Sequence, residues 1–151
     1  MSTPSLSSTP DLALRLDNQL CFALYSTSLA MTKVYKPLLA ALGLTYPQYL
    51  VMLVLWEQDE VSVSELGERL FLDSGTLTPL LKRMEASGWL LRTRSRQDER
   101  RVLVSLSAAG RALKTRAAQV PACVVSATHS PVSELMALTQ KVQALRGQLT
   151  V

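Results

Sequence analysis

The stretch 62–106 constrains this chain most, because its apolar pattern changes there from helical spacing to strict alternation. Ser62-Val-Ser-Glu65 has the form of a capping box, in which a hydroxyl takes an orphan amide and a glutamate reaches back. The helix it opens, Val63 to about Leu70, places Val63, Leu66 and Leu70 on one face. Phe71-Leu72-Asp73 interrupts the pattern, and Asp73 or Ser74 can cap a second helix to about Ala86. There Leu77, Leu80, Leu81 and Met84 recur at i, i+3, i+4 and i+7, so they face a core.

The other side of that second helix carries Ser74, Gly75, Thr76, Thr78, Pro79, Lys82 and Arg83. Small hydroxyl residues followed by cations suit a helix lying in a DNA major groove. Threonine touches base edges or thymine methyls, while lysine and arginine neutralise phosphates. Ser64, at the start of the preceding helix, joins this set. Pro79 is anomalous, since an interior proline costs on the order of 3 kcal/mol. A cap at Thr76 would place it harmlessly in a first turn. After Gly88, Trp89–Arg94 and Arg101–Leu106 read as two strands around the polar loop Ser95-Arg-Gln-Asp-Glu-Arg100. Two helices and such a β-wing make a winged helix-turn-helix, with Arg94, Arg96, Asp98 and Arg100 as wing candidates for DNA contact.

Charge follows the same division. Ten of the sixteen basic residues lie between Lys82 and Arg116, against three acids, whereas residues 57–73 hold six acids against Arg69. A net charge of +4 is modest, but its segregation onto the wing and the end of the second helix is the footprint of a polyanion partner. At 151 residues one domain is expected. No apolar run reaches the length of a membrane span and no secretory leader is visible, so a cytoplasmic protein without a membrane partner is expected. His129 stands alone, and no phosphate-binding glycine loop or Ser-His-Asp arrangement is present; an enzyme, a metal site or a cofactor is not expected.

The flanks are helical. Leu16, Leu20, Ala23, Leu24, Thr27, Ala30, Met31 and Val34 keep a 3.6 period, with a break predicted at Lys36-Pro37. Thr45-Tyr-Pro-Gln48 is a further capping box, Leu44 and Tyr49 can staple it, and Tyr49–Trp56 is apolar enough to be a buried central helix. Ser107 should cap the helix after the wing, with Pro121 kinking or ending it. Ser130 should cap a last helix striped by Val132, Leu135, Leu138, Val142 and Leu145. The terminal helices have too few polar positions for a free surface and are expected to bury against a second subunit.

Cys21 follows Asp17-Asn18, either of which could cap the first long helix and leave the sulfur in an opening turn. The positive end of a helix dipole favours thiolate over thiol, and a thiolate attacks peroxides to give a sulfenic acid. A cysteine on an apolar helix is equally a small core residue. The residues alone leave both readings open.

The run Leu72-Asp-Ser-Gly-Thr-Leu-Thr-Pro-Leu-Leu-Lys-Arg-Met-Glu85, the wing's Asp98-Glu-Arg100, and Leu106-Ser-Ala-Ala-Gly110 resemble the MarR family of bacterial regulators. More narrowly, they resemble its OhrR branch of organic-hydroperoxide sensors, over about residues 15–150. The resemblance implies that Cys21 is the peroxide-reactive thiol. It also implies that tyrosines fourteen and twenty-five positions later, here Tyr35 and Tyr46, reach it across a dimer and hydrogen-bond the thiolate. Tyr25 matches a further aromatic of that site. Some members carry a second, resolving cysteine after the wing. Cys123 lies about one helical turn before the usual place, near Ser126. Either Cys123 resolves from a displaced position, or Cys21 pairs with a low-molecular-weight thiol.

The expected molecule is mostly α with a small β-wing, a winged helix-turn-helix dimerised through its N- and C-terminal helices. A disordered tail (1–10) precedes a single domain (11–151), in which 11–44 and 108–151 dimerise and 45–107 reads DNA. Function by resemblance is a homodimeric repressor on pseudo-palindromic double-stranded operator DNA, released when organic hydroperoxide oxidises Cys21. The competing readings are a MarR-type repressor released by a small phenolic or aromatic effector, a thiol peroxidase, and an architectural DNA protein.

Overall fold

The computed structural model describes residues 10–150. Its helices are α1 (Pro10–Ala13), α2 (Leu20–Ala40), α3 (Tyr46–Glu57), α4 (Val63–Leu70), α5 (Ser74–Ala86), α6 (Ala108–Ala117), α7 (Val120–Thr128) and α8 (Val132–Leu149). A 3-10 turn (Leu16–Asn18) precedes α2, and the strands are β1 (Val61–Ser62), β2 (Leu90–Arg94) and β3 (Val102–Leu106). Of the tail expected over 1–10, Pro10 opens α1 and the rest lies outside the described residues.

Helix α3 is the centre of the core, and its start is set locally. Gln48 N donates to Thr45 Oγ1 at 3.4 Å while Thr45 N donates to Gln48 Oε1 at 3.0 Å, so both halves of the capping box form. Pro47 sits in the first turn, where no amide is missed. Tyr49, Val51, Met52, Val54 and Leu55 are buried, and burying side chains of this kind contributes about 1.5–3 kcal/mol each. Leu66 from α4, Leu77, Leu81 and Met84 from α5, Leu90 and Val104 from the sheet close over them, all fully buried.

The sheet has the order β1-β3-β2, antiparallel throughout, with Val61 opposite Val104 and Leu90 opposite Leu106. Strand β1 was not expected, since two residues carry no periodicity and exist as a strand only through pairing with β3.

Three local expectations are corrected. Helix α2 runs through Pro37 without a break, because Leu38 and Leu39 beyond it pack into the core and outweigh one lost helical bond. Pro121 begins α7 instead of ending α6, which stops at Ala117. Ser130 does not cap α8; its hydroxyl donates to the Thr128 carbonyl at 3.2 Å, and Pro131 takes the cap position. Ser107 caps α6 as expected, accepting from Gly110 N at 3.0 Å.

The terminal helices differ from this core. Helix α8 buries no residue, and Met136 and Leu138 are each 58% exposed. On α2, Leu20, Phe22, Leu24, Leu29 and Met31 are exposed as well. The free end of α8 returns to the turn between α4 and α5, where the Arg146 guanidinium stacks 4.3 Å from the Phe71 ring centre.

Candidate nucleic-acid interface and thiol site

Asp73 caps α5, its Oδ1 accepting Thr76 N at 2.7 Å. That backbone bond, with the Thr76 hydroxyl beside it, holds the Asp73 carboxyl below the usual carboxylate range. The cap lies three residues before Thr76, so Pro79 falls inside the helix and not in its first turn. A charged acceptor wins the cap over a hydroxyl. The proline leaves the Gly75 carbonyl without its i+4 donor on an exposed surface, where water can bond it.

With Leu77, Leu80, Leu81 and Met84 turned inward, Ser74, Gly75, Thr76, Pro79, Lys82 and Arg83 stand exposed, and Thr78 is half-buried. Ser64 is exposed on α4. A groove of about 550 Å³ between α4, α5 and the wing is lined by Ser64, Thr78, Asp98 and Arg100 among others.

The wing tip is braced from within. Ser95 N donates to the Arg101 carbonyl at 2.8 Å, and Arg101 N to the Asp98 carbonyl at 2.9 Å. Asp98 Oδ1 accepts Arg100 N at 3.1 Å, so Asp98 fixes the backbone of Arg100 and leaves its guanidinium free. Arg94 donates to the Glu99 carbonyl at 2.9 Å.

The basic cluster therefore divides. Arg92 pairs with Glu85 at 3.2 Å, Arg101 with Glu65 at 2.5 Å, and Arg111 lies 3.6 Å from Asp59. Glu85 also accepts Arg92 N at 2.9 Å, and the Arg92 amide and guanidinium together hold its carboxyl low. Glu65 is spent on Arg101 and does not return to the Ser62 amide, so that capping box is only half formed: Ser62 accepts Glu65 N at 3.1 Å. A cationic guanidinium is a stronger partner for the carboxylate than a neutral backbone amide. Among the described residues Lys82, Arg83, Arg96 and Arg100 make no salt bridge, and all four are exposed. With Arg94, Lys114 and Arg116, which donate only to backbone carbonyls, these are the cluster's cations that no carboxylate neutralises.

Cys21 is the second residue of α2, exposed in its opening turn as expected. The cap is different. Gln19 holds that position but its side chain does not cap the helix, and Asn18 Nδ2 turns back to the Leu12 carbonyl at 2.7 Å. Tyr25, one turn on, is 62% exposed. Tyr35 and Tyr46 touch, with ring centres 4.9 Å apart, and Tyr49 lies 5.8 Å from Tyr35. Burial, with the neighbouring phenols, raises the Tyr35 and Tyr49 hydroxyls above the ordinary phenol value, which keeps them protonated and able to donate.

Fourteen residues of helix separate Cys21 from Tyr35, a rise of about 21 Å. One chain therefore does not bring Cys21 to its own Tyr35. Cys123 is a free, exposed thiol on α7, flanking the face that buries Val120 and Val124. Among the described residues no cluster of side chains could hold a metal ion, and no helix is long and apolar enough to cross a membrane. The groups not anticipated are Trp56, whose Nε1 donates to the Gly110 carbonyl at 2.9 Å, and the Glu85–Arg92 pair. The spacing Tyr46, Tyr49, Trp56 on one helical face was the available signal for the first.

Known proteins agree with this architecture. The model of the SarA/Rot transcriptional regulators matches residues 33–117. Over 132 residues the chain is 48% identical to the organic hydroperoxide resistance transcriptional regulator of Bacillus subtilis, spanning 87% of this chain and 90% of that one. The structure of reduced AbfR bound to DNA, a protein of Staphylococcus epidermidis, matches with a TM-score of 0.77 and 34% identity, over 95% of this chain and 100% of that one. Disulfide-formed AbfR matches with a TM-score of 0.61 and 35% identity, over 92% and 98%. This chain belongs to the MarR-type winged helix-turn-helix transcriptional regulators, in their organic-hydroperoxide-resistance branch, and is a regulator rather than an enzyme.

Proposed function

We propose that this chain is a thiol-switched repressor: a homodimer that holds pseudo-palindromic operator DNA when reduced and releases it when an organic hydroperoxide oxidises Cys21. The reading part is 45–107, and the dimerising parts are 11–44 and 108–151. In this reading the α5 helices of two subunits enter successive major grooves, with Ser74, Gly75, Thr76, Thr78, Pro79, Lys82 and Arg83 at the DNA and Ser64 beside them. The wings place Arg94, Arg96 and Arg100 along the minor groove, with Asp98 holding Arg100 in shape.

One observation carries the redox half. Cys21 and Tyr25 lie near the start of α2, and Tyr35 lies near its other end against Tyr46 of α3, so they form one site only if two copies of α2 run antiparallel. The exposed apolar residues of α2 and α8 are the surface on which such copies meet. There the Cys21 thiolate attacks one oxygen of the hydroperoxide. The O–O bond takes the two electrons that sulfur loses, Cys21 becomes a sulfenic acid, and the other oxygen leaves as the alcohol after gaining a proton. A second thiol, Cys123 or a low-molecular-weight thiol, then displaces water to give a disulfide. The better match to reduced, DNA-bound AbfR than to its disulfide form supports a DNA-competent shape for the reduced chain.

The test is binding of the purified protein to the DNA upstream of its own gene, before and after one equivalent of cumene hydroperoxide. Wild type should lose binding and recover it with dithiothreitol, while Cys21→Ser should keep it throughout. Retention of the DNA by fully oxidised wild type would refute the redox half. The effector reading keeps one observation in its favour, an apolar cleft of about 280 Å³ lined by Tyr49, Leu53, Trp56 and Lys114 among others. Release by an aromatic acid from Cys21→Ser would select it.

A further inference from the structure

The tyrosine pair does not end at Tyr46. Tyr46, Tyr49 and Trp56 share one face of α3, with ring centres 6.5 Å apart for Tyr46 and Tyr49 and 6.4 Å for Tyr49 and Trp56, the last pair edge to face. Tyr49 also touches Tyr35, at 5.8 Å. This aromatic column finishes in the hydrogen bond from Trp56 Nε1 to the Gly110 carbonyl.

Gly110 is wedged in place. A Cβ there would stand 2.1 Å from the Trp89 carbonyl oxygen, so the backbones of α6 and of the chain entering β2 are in direct contact. Ser107 N donates to that same oxygen at 3.1 Å, and Trp89 N donates to the Met84 carbonyl at 3.1 Å. Gly88, with φ of 85°, ends α5 immediately before it. The last turn of the recognition helix, the first strand of the wing and the start of α6 all meet at Trp89, one backbone contact from the bond that Trp56 makes.

We propose that Trp56 is the positioning residue that links the Tyr35–Tyr46 pair to the joint between recognition helix and wing. The inference rests on the redox reading above. Interiors are close-packed, so rings in contact do not move independently; a shift of Tyr35 and Tyr46 is passed to Tyr49 and Trp56. The indole N–H turns that shift into a pull on one carbonyl, and Gly110 has no room to yield except with Trp89. Packing alone is no proof of coupling, so the two ends must be tested together.

The experiment compares wild type with Trp56→Phe, which keeps a ring in the column and removes the donor. Operator affinity is measured before and after cumene hydroperoxide, with Cys21 oxidation followed by intact mass and unfolding followed by circular dichroism. In Trp56→Phe, Cys21 should oxidise fully, but the ratio of reduced to oxidised affinity should shrink about fivefold, the worth of one hydrogen bond. An unchanged ratio at full oxidation overturns the proposal. So does a loss of stability and of reduced affinity with the ratio intact, which is what a merely structural tryptophan would give. Wild type that keeps its DNA when oxidised signals failure of the redox reading itself. If Trp56→Phe does not fold, the Trp89→Phe chain leaves Trp56 as the only tryptophan. Its emission should shift on oxidation, and constant emission overturns the link.

Discussion

The region 62–106 and the terminal helices α2 and α8 all carry apolar stripes, yet only the first is finished within a single chain. In the first, Leu66, Leu77, Leu81, Met84, Leu90 and Val104 are fully buried, caps form at Ser62 and Asp73, and Glu85 and Glu65 neutralise Arg92 and Arg101. In the second, α8 buries nothing and α2 buries only Leu39. A helix with apolar residues on its exposed side is stable when something covers them. Under the proposed function, 62–106 would hold its shape while the helices proposed to meet a second copy rearrange.

The largest effect should come from the unfinished region. Placing glutamates at Leu138 and Val142 on α8 should convert the protein to monomers and reduce operator affinity by orders of magnitude, because two recognition helices are no longer held one helical turn apart. Analytical ultracentrifugation beside a DNA titration checks both parts; a double variant that stays dimeric breaks the comparison. In the finished region, Leu77→Ala should cost about 2–5 kcal/mol of unfolding free energy, read by urea denaturation, since the side chain is fully buried. A cost near zero would mean that α5 is not anchored as described.

The smallest effect is pH-dependent. Glu85 is held below its ordinary value by Arg92, so the stability it contributes is fully present above the unfolded glutamate value of about 4.3 and is lost as pH falls through the lower folded value. Glu85→Gln should therefore be less stable than wild type at pH 7, with the gap closing in acid. A gap that stays constant down to the lowest pH would exclude the carboxylate as its source.

Much of this was legible because it is local. The bounds of α4, the capping box at Thr45, the cap at Ser107 and the inward face of α5 depend on residues within one or two turns of each other. Other features escaped because their partners are distant in sequence. Glu65 abandons its capping box for Arg101, thirty-six residues away, and β1 exists only because β3 passes beside it. Pro37 stays inside α2 because core contacts made by Leu38 and Leu39 outweigh its local preference. At the thiol site, Cys21 was legible as a residue in an opening turn, but its cap was not, since Asn18 and Gln19 turn back to carbonyls in α1 and the loop after it.

By itself the sequence determined the order of helices and strands, the inward stripes, and which segment carries the excess of cations, since these follow from periodicity and composition. Only the tertiary structure decided which cations are neutralised and which are left free, because ion pairs such as Arg101–Glu65 and Arg92–Glu85 join different elements. It alone also placed Tyr35 against Tyr46 and far from Cys21 in the same chain, since a helix holds residues fourteen apart at a fixed and uncloseable distance.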